Sequence, residues 1–113
     1  MELTKNIFFN TDKLVENTKV KISYTGQLFQ DASKEVSIHY GFGENWDNVN
    51  DVVMEKTDLG FQAEITLGEG NTFNFCFRDE NNNWDNNNGQ NYIFNLEKLP
   101  TELLVLDDEP TSL

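Results

Sequence analysis

The sequence has one cysteine, one histidine and eight basic residues, and each scarcity excludes something. Cys76 alone permits neither an intrachain disulfide nor a thiolate metal cluster, a pattern that fits a reducing compartment. His39 alone cannot anchor a zinc-type site, which needs further nitrogen or sulfur ligands. Eight Lys and Arg stand against twenty Asp and Glu, for a formal charge of −12. Nucleic-acid phosphates and anionic membrane surfaces both demand cations, so neither is expected as a partner. Long apolar runs are missing as well. The longest, Ile7–Phe9 and Leu103–Leu106, are far too short to span a bilayer. Met1–Lys5 opens no secretory signal, because no apolar segment follows it. No stretch shows a capped helical stripe, a 20–50-residue repeat or a Pro- or Ser-rich linker, so an α/β reading fails.

What is present is a chain of 113 residues, enough for one domain that buries about two-thirds of its unfolded surface without a staple. Asparagine occurs sixteen times and phenylalanine nine. Phe is core material, whereas Asn is polar, uncharged and suited to turns. Polar but uncharged loops beside aromatic rings favour a neutral, hydroxylated ligand over a charged one.

Apolar residues alternate with polar ones almost throughout, the pattern of a half-buried strand. Val20, Ile22 and Tyr24 form one such series; Val36, Ile38 and Tyr40 another. Phe61–Leu67, Phe73–Phe77 and Tyr92–Leu96 follow, and residues 5–9 and 52–56 are weaker candidates. Turn signals separate them at Thr25-Gly26, Gly41–Gly43, Asp58–Gly60, Gly68–Gly70 and Asn88-Gly89. About seven short strands in roughly 100 residues predict an all-β fold, an antiparallel immunoglobulin-like β-sandwich. The expected division is a sandwich over residues 1–99 and an acidic C-terminal tail over 100–113, within which Leu103–Leu106 could dock as an edge strand.

Two polar segments interrupt the alternation, Gly41–Asp51 and Asp79–Gln90, and each holds one of the two tryptophans, Trp46 and Trp84. Indole in a polar loop is either a lid folded over the sandwich or an exposed flat surface. Such a surface stacks the C–H face of a pyranose ring, and nearby amides or an imidazole bind its hydroxyls. Alternation turns His39 away from the core, on a strand that runs directly into the Trp46 segment. Asp79–Gln90 fails as a calcium loop. Counted from Asp79, Asn81 and Asn83 suit the ligand positions, but Trp84 takes the place of the required Gly and Gln90 that of the bidentate Glu. Cys76 has only Arg78 nearby to activate it, with His39 far away in sequence. Carboxylates are too abundant to single out a catalytic pair. No catalytic residue, metal or cofactor is therefore expected.

The run Val36-Ser37-Ile38-His39-Tyr40-Gly41, then Trp46, Phe73–Asp79 and Trp84-Asp85-Asn86-Asn87 with Gly89 and Tyr92, resembles the starch-binding modules of carbohydrate-binding family 25 and its close relatives. The resemblance covers about residues 18–97. It implies a β-sandwich that binds α-1,4-linked glucans such as starch, glycogen or maltooligosaccharides without cleaving them. It also implies a site of two Trp and one His, here Trp46, Trp84 and His39. Amides assist that site, leaving open which of Asn86, Asn87 and Asn88 faces the sugar. Two other readings stay open: a protein-docking sandwich with no glycan ligand, and a small-molecule or metal-binding domain. The partner expected is an α-glucan bound by a monomer. The place expected is cytoplasmic; the alternative is an extracellular module excised from a secreted amylase.

Overall fold

The computed structural model describes residues 1–98. The expected acidic tail over 100–113 and its Leu103–Leu106 strand lie outside the described residues. Along the chain the elements are β1 (Glu2–Thr4), β2 (Ile7–Phe9), β3 (Lys19–Tyr24), α1 (Gln27–Gln30), β4 (Val36–Phe42), β5 (Asp47–Val53), β6 (Glu55–Thr57), β7 (Gly60–Thr66), β8 (Thr72–Asp79), β9 (Trp84–Asp85) and β10 (Tyr92–Asn95). They form two antiparallel sheets. One has the order β1-β2-β3-β7-β6; the other has the order β10-β8-β4-β5, with β9 also paired to β8.

The alternating series place their apolar members between the sheets. Val20, Ile22 and Tyr24 of β3 face Val36 and Ile38 of β4 and Phe73, Phe75 and Phe77 of β8, all nearly inaccessible to water. Tyr24 stacks on Phe77 at 4.0 Å, joining one sheet to the other. Phe9 meets Phe73, Phe75 and Phe94 edge-on at 5.8–6.4 Å. Each fully buried ring of this kind contributes about 1.5–3 kcal/mol of transfer free energy. The aromatic seam therefore accounts for the excess of Phe.

The all-β antiparallel sandwich agrees with the sequence reading, but the strands number ten among the described residues, where about seven were expected. The extra ones have physical reasons for being silent. β1, β6 and β9 are two or three residues long, too short to show alternation. β5 is an edge strand whose residues 47–51 are all exposed, so no apolar face marks it. Together with the end of β4 it absorbs seven of the eleven residues of the supposed Gly41–Asp51 loop. The single-turn helix α1 is below the length at which a stripe becomes visible.

The asparagines acquire a second explanation here. Asn6, Asn17, Asn48, Asn82, Asn87, Asn88 and Asn91 hold positive φ, between 55° and 69°. Short side chains that bond locally make Asn the best non-glycine residue for this left-handed backbone. Six of the sixteen thus shape turns and connections first, and Asn48 bends the start of β5.

Candidate functional site

The site is built on the outer face of the second sheet. Strand alternation points Ser37, His39 and Gly41 of β4 outward, opposite Arg78, Cys76 and Asn74 of β8. His39 also pairs in register with Asp51 of β5. Its Nδ1 lies 2.9 Å from Asp51 Oδ1. A carboxylate only accepts, so Nδ1 carries the proton and Nε2 is left as the acceptor on the neutral ring.

Trp46 closes the β4–β5 hairpin. The N–H groups of Trp46 and the Asn74 side chain both donate to the Gly43 carbonyl, at 3.1 and 2.7 Å, and Gly43 N–H donates to Thr72. Asn74 is 3% exposed, so its amide is committed to this turn. The turn lies directly on β4 at Gly41, where an added Cβ would stand 3.0 Å from the Trp46 backbone. Trp46 itself has φ +53°, a left-handed conformation that costs a bulky residue about 1–3 kcal/mol. Strain of that kind persists where the surroundings over-determine the residue.

Trp84, unlike Trp46, is not in a loop. Residues 84–85 fold back along β8, pairing Arg78 with Trp84 and Phe77 with Asp85. Alternation sends the two side chains opposite ways. Asp85 turns inward and accepts from the hydroxyls of Tyr24, at 2.6 Å, and Tyr92, at 2.9 Å. Burial first, and then the hydrogen bond to Asp85, push both phenols well above their ordinary range, so they remain protonated donors. Trp84 turns outward and stays 47% exposed, with the Arg78 guanidinium 5.4 Å from its ring.

These elements bring the three expected rings together. His39 stacks near Trp46, with centroids 5.7 Å apart and planes at 26°. It meets Trp84 edge-to-face at 6.0 Å and 88°. The two indole planes are therefore inclined by at least 62° (88° less 26°).

The asparagines divide differently. Asn86 Oδ1 accepts from Gly89 N–H, and Asn87 Nδ2 donates to the Asn91 carbonyl, so both amides are partly spent on the turn. The Asn88 side chain makes no hydrogen bond among the described residues, and it lines a depression beside Trp84. Asp79 organises the preceding turn: one oxygen accepts from the Asn81 and Asn83 N–H groups, the other from the side chains of Asn83 and Ser33. Burial pushes its carboxyl up, but these bonds outweigh burial and hold it below the ordinary carboxylate range. A carboxylate so occupied is a turn-former, not the first ligand of a calcium loop.

Register corrects the reading of Cys76 and His39. Far apart in sequence, they sit directly opposite each other on β8 and β4. Cys76 is still no nucleophile. Burial, then Asp51 and Asp85, push its thiol up to about 11, against a smaller opposing pull from Arg78. Attack needs the thiolate.

Sequence reasoning missed Gly41, Asp51, Asn74 and Asp85, the residues that hold the rings. Asp85 had a signal: beside an outward Trp, the next residue of any strand points inward. Asp51 and Asn74 become visible only once the strand register is known.

Residues 20–75 match the family model described as starch/carbohydrate-binding module (family 53), a stretch that includes His39 and Trp46 and stops before Trp84. The family matched is thus 53, where the sequence resemblance was to family 25 and its relatives. The chain is also similar to an alpha-amylase of Clostridium acetobutylicum, 35% identical over 78 residues. That alignment covers 67% of this chain and only 10% of the amylase. No solved structure matches significantly. In sequence, this chain is thus similar to starch/carbohydrate-binding modules over residues 20–75.

Proposed function

We propose that the domain binds α-1,4-linked glucans without cleaving them, as a monomer, through Trp46, His39 and Trp84. The observation that carries this reading is the pair of steeply inclined indoles gathered around one imidazole. An α-glucan turns from one glucose to the next, so successive rings meet two angled planes better than a flat stripe. His39 Nε2 is positioned as an acceptor for a sugar hydroxyl between them. By analogy with base–aromatic stacking, each indole contributes about 1–3 kcal/mol. Affinity in the micromolar to millimolar range follows, roughly −4 to −8 kcal/mol. A neutral ligand makes the charge of −12 harmless.

The likeness to a segment of an alpha-amylase supports a module that works beside such an enzyme, on starch-like polymers. Nothing in it supports the cytoplasmic placement. Affinity electrophoresis tests the binding. Soluble starch in the gel should retard the wild type and leave W46A/W84A unretarded, and free maltoheptaose should release the wild type. Equal mobility of the wild type with and without starch would sink the glucan reading and favour a protein-docking sandwich.

A further inference from the structure

Beside Trp84 lies a depression of about 230 Å³ lined by Gln27, Trp84, Asp85, Asn86 and Asn88. Its walls come from α1 and from the turn after β9, and one hydroxyl ties them together. Leu28 N–H donates to Tyr24 Oη at 3.1 Å, and that oxygen donates in turn to Asp85. The groove is thereby held open and pre-formed, which lowers the ordering cost of binding.

Its chemistry is that of a neutral polyol site. Among the described residues, the only charged group in the lining, Asp85, directs both oxygens inward to Tyr24 and Tyr92. What remains are amides. Gln27 Nε2 donates to Asp31, leaving Gln27 Oε1 unpartnered among the described residues. Asn86 keeps its Nδ2 donors, because only its Oδ1 bonds Gly89. Asn88 has its whole amide available. At about 230 Å³ the depression has room for a hexose unit.

We infer that this groove is a further sugar subsite, which takes the glucosyl unit next beyond the one on Trp84 and binds its hydroxyls through Gln27 and Asn88. The inference rests on the glucan reading above and extends it to chain length. With two units on the indoles, a chain of three or more units engages the groove and maltose does not.

Isothermal titration of maltose and maltoheptaose into the wild type and into Q27A/N88G tests this. Glycine at 88 removes the amide while tolerating the φ of +59°. The double variant should lose about 3–10-fold in maltoheptaose affinity, the worth of one or two neutral hydrogen bonds, and nothing for maltose, whose two units the indoles already take up. In NMR spectra of the wild type, the side-chain amide signals of Gln27 and Asn88 should shift with maltoheptaose and stay fixed with maltose. Unchanged maltoheptaose affinity in the variant, or equal losses at both lengths, would overturn the subsite and leave the ring platform standing. A wild type that binds neither sugar would overturn the glucan reading itself.

Discussion

Replacing Gly41 with Ala adds one methyl group at the point where the Trp46 turn rests on the sheet. The new Cβ would stand 3.0 Å from Trp46 C, Cα and Cβ. Two of those atoms are backbone, so no side-chain rotation relieves the contact. The turn must lift by a few tenths of an ångström, against the hydrogen bonds that Asn74, Trp46 and Gly43 make there. Weakening one of them costs about 0.5–1.5 kcal/mol, so the thermal midpoint should fall by about 4–8 °C for each kcal/mol lost. Binding should suffer more specifically, because tilting Trp46 away from His39 forfeits part of one stack, at most about 1–3 kcal/mol. Titration of maltoheptaose should therefore show a loss of about 5- to 50-fold, within that limit. A double-mutant cycle isolates the cause. In a Trp46→Ala background, G41A should cost no further affinity, since the displaced ring is already gone. Additive losses in the cycle would show that Gly41 acts elsewhere, and wild-type affinity in the single variant would refute the packing argument outright.

The remaining predictions concern stability and the imidazole. Trp84→Ala gives up about half of an indole's burial, so its unfolding free energy in urea should drop by about 1–2 kcal/mol; a loss above about 4 would mark the ring as a core residue. Trp46→Gly should be more stable than Trp46→Ala by about 0.5–1 kcal/mol, because only glycine accepts φ +53° without strain; the reverse order would remove the strain argument. Tyr24, Tyr92 and Cys76 all have raised pKa values, so the unfolded chain releases their protons first. These three groups leave stability level from neutrality to about pH 9, and it should then fall by about 1.4 kcal/mol per pH unit for each titrating group, first through the thiol and above pH 10 through the phenols. Midpoints constant to pH 11.5 would contradict it, and Tyr92→Phe should reduce the slope above pH 10. Asp51→Leu should shift imidazole ¹⁵N resonances away from the pure Nδ1–H tautomer and weaken maltoheptaose binding about 3- to 10-fold, whereas unchanged resonances would mean Asp51 does not set the proton.

What the sequence made legible was whatever repeats with period two. β3, β4, β7, β8 and β10 were readable because each buries one face and wets the other. β5 was not, since Asp47–Asp51 is wet on both sides, and so the hairpin that carries Trp46 looked like a loop. His39 could be placed on the outer face by counting residues along one strand. Its approach to both indoles could not, because that depends on register between strands and on the fold-back of β9. The Asn-rich stretch was readable in composition and ambiguous in role. Backbone conformation claims Asn82, Asn87, Asn88 and Asn91, and only hydrogen-bond accounting separates Asn88 from Asn86 and Asn87.

The Asn86–Asn91 turn has an effect on how the molecule meets its own copies. β9 and β10 both run along the side of β8 opposite β4, one pairing with Phe77 and Arg78, the other with residues 72–75. Without the turn they would be one uninterrupted margin of the sheet, offering a straight row of unpaired amides and carbonyls. Such a margin invites a neighbouring chain to add itself, and with it fibrous self-association. The turn breaks the row into pieces of two and four residues and pushes a knot of left-handed backbone out between them. A domain crowded side by side along a polymer would meet its neighbours at high local concentration. On the glucan reading, the asparagine turn beside Trp84 is thus expected to oppose edge-to-edge association between neighbouring domains.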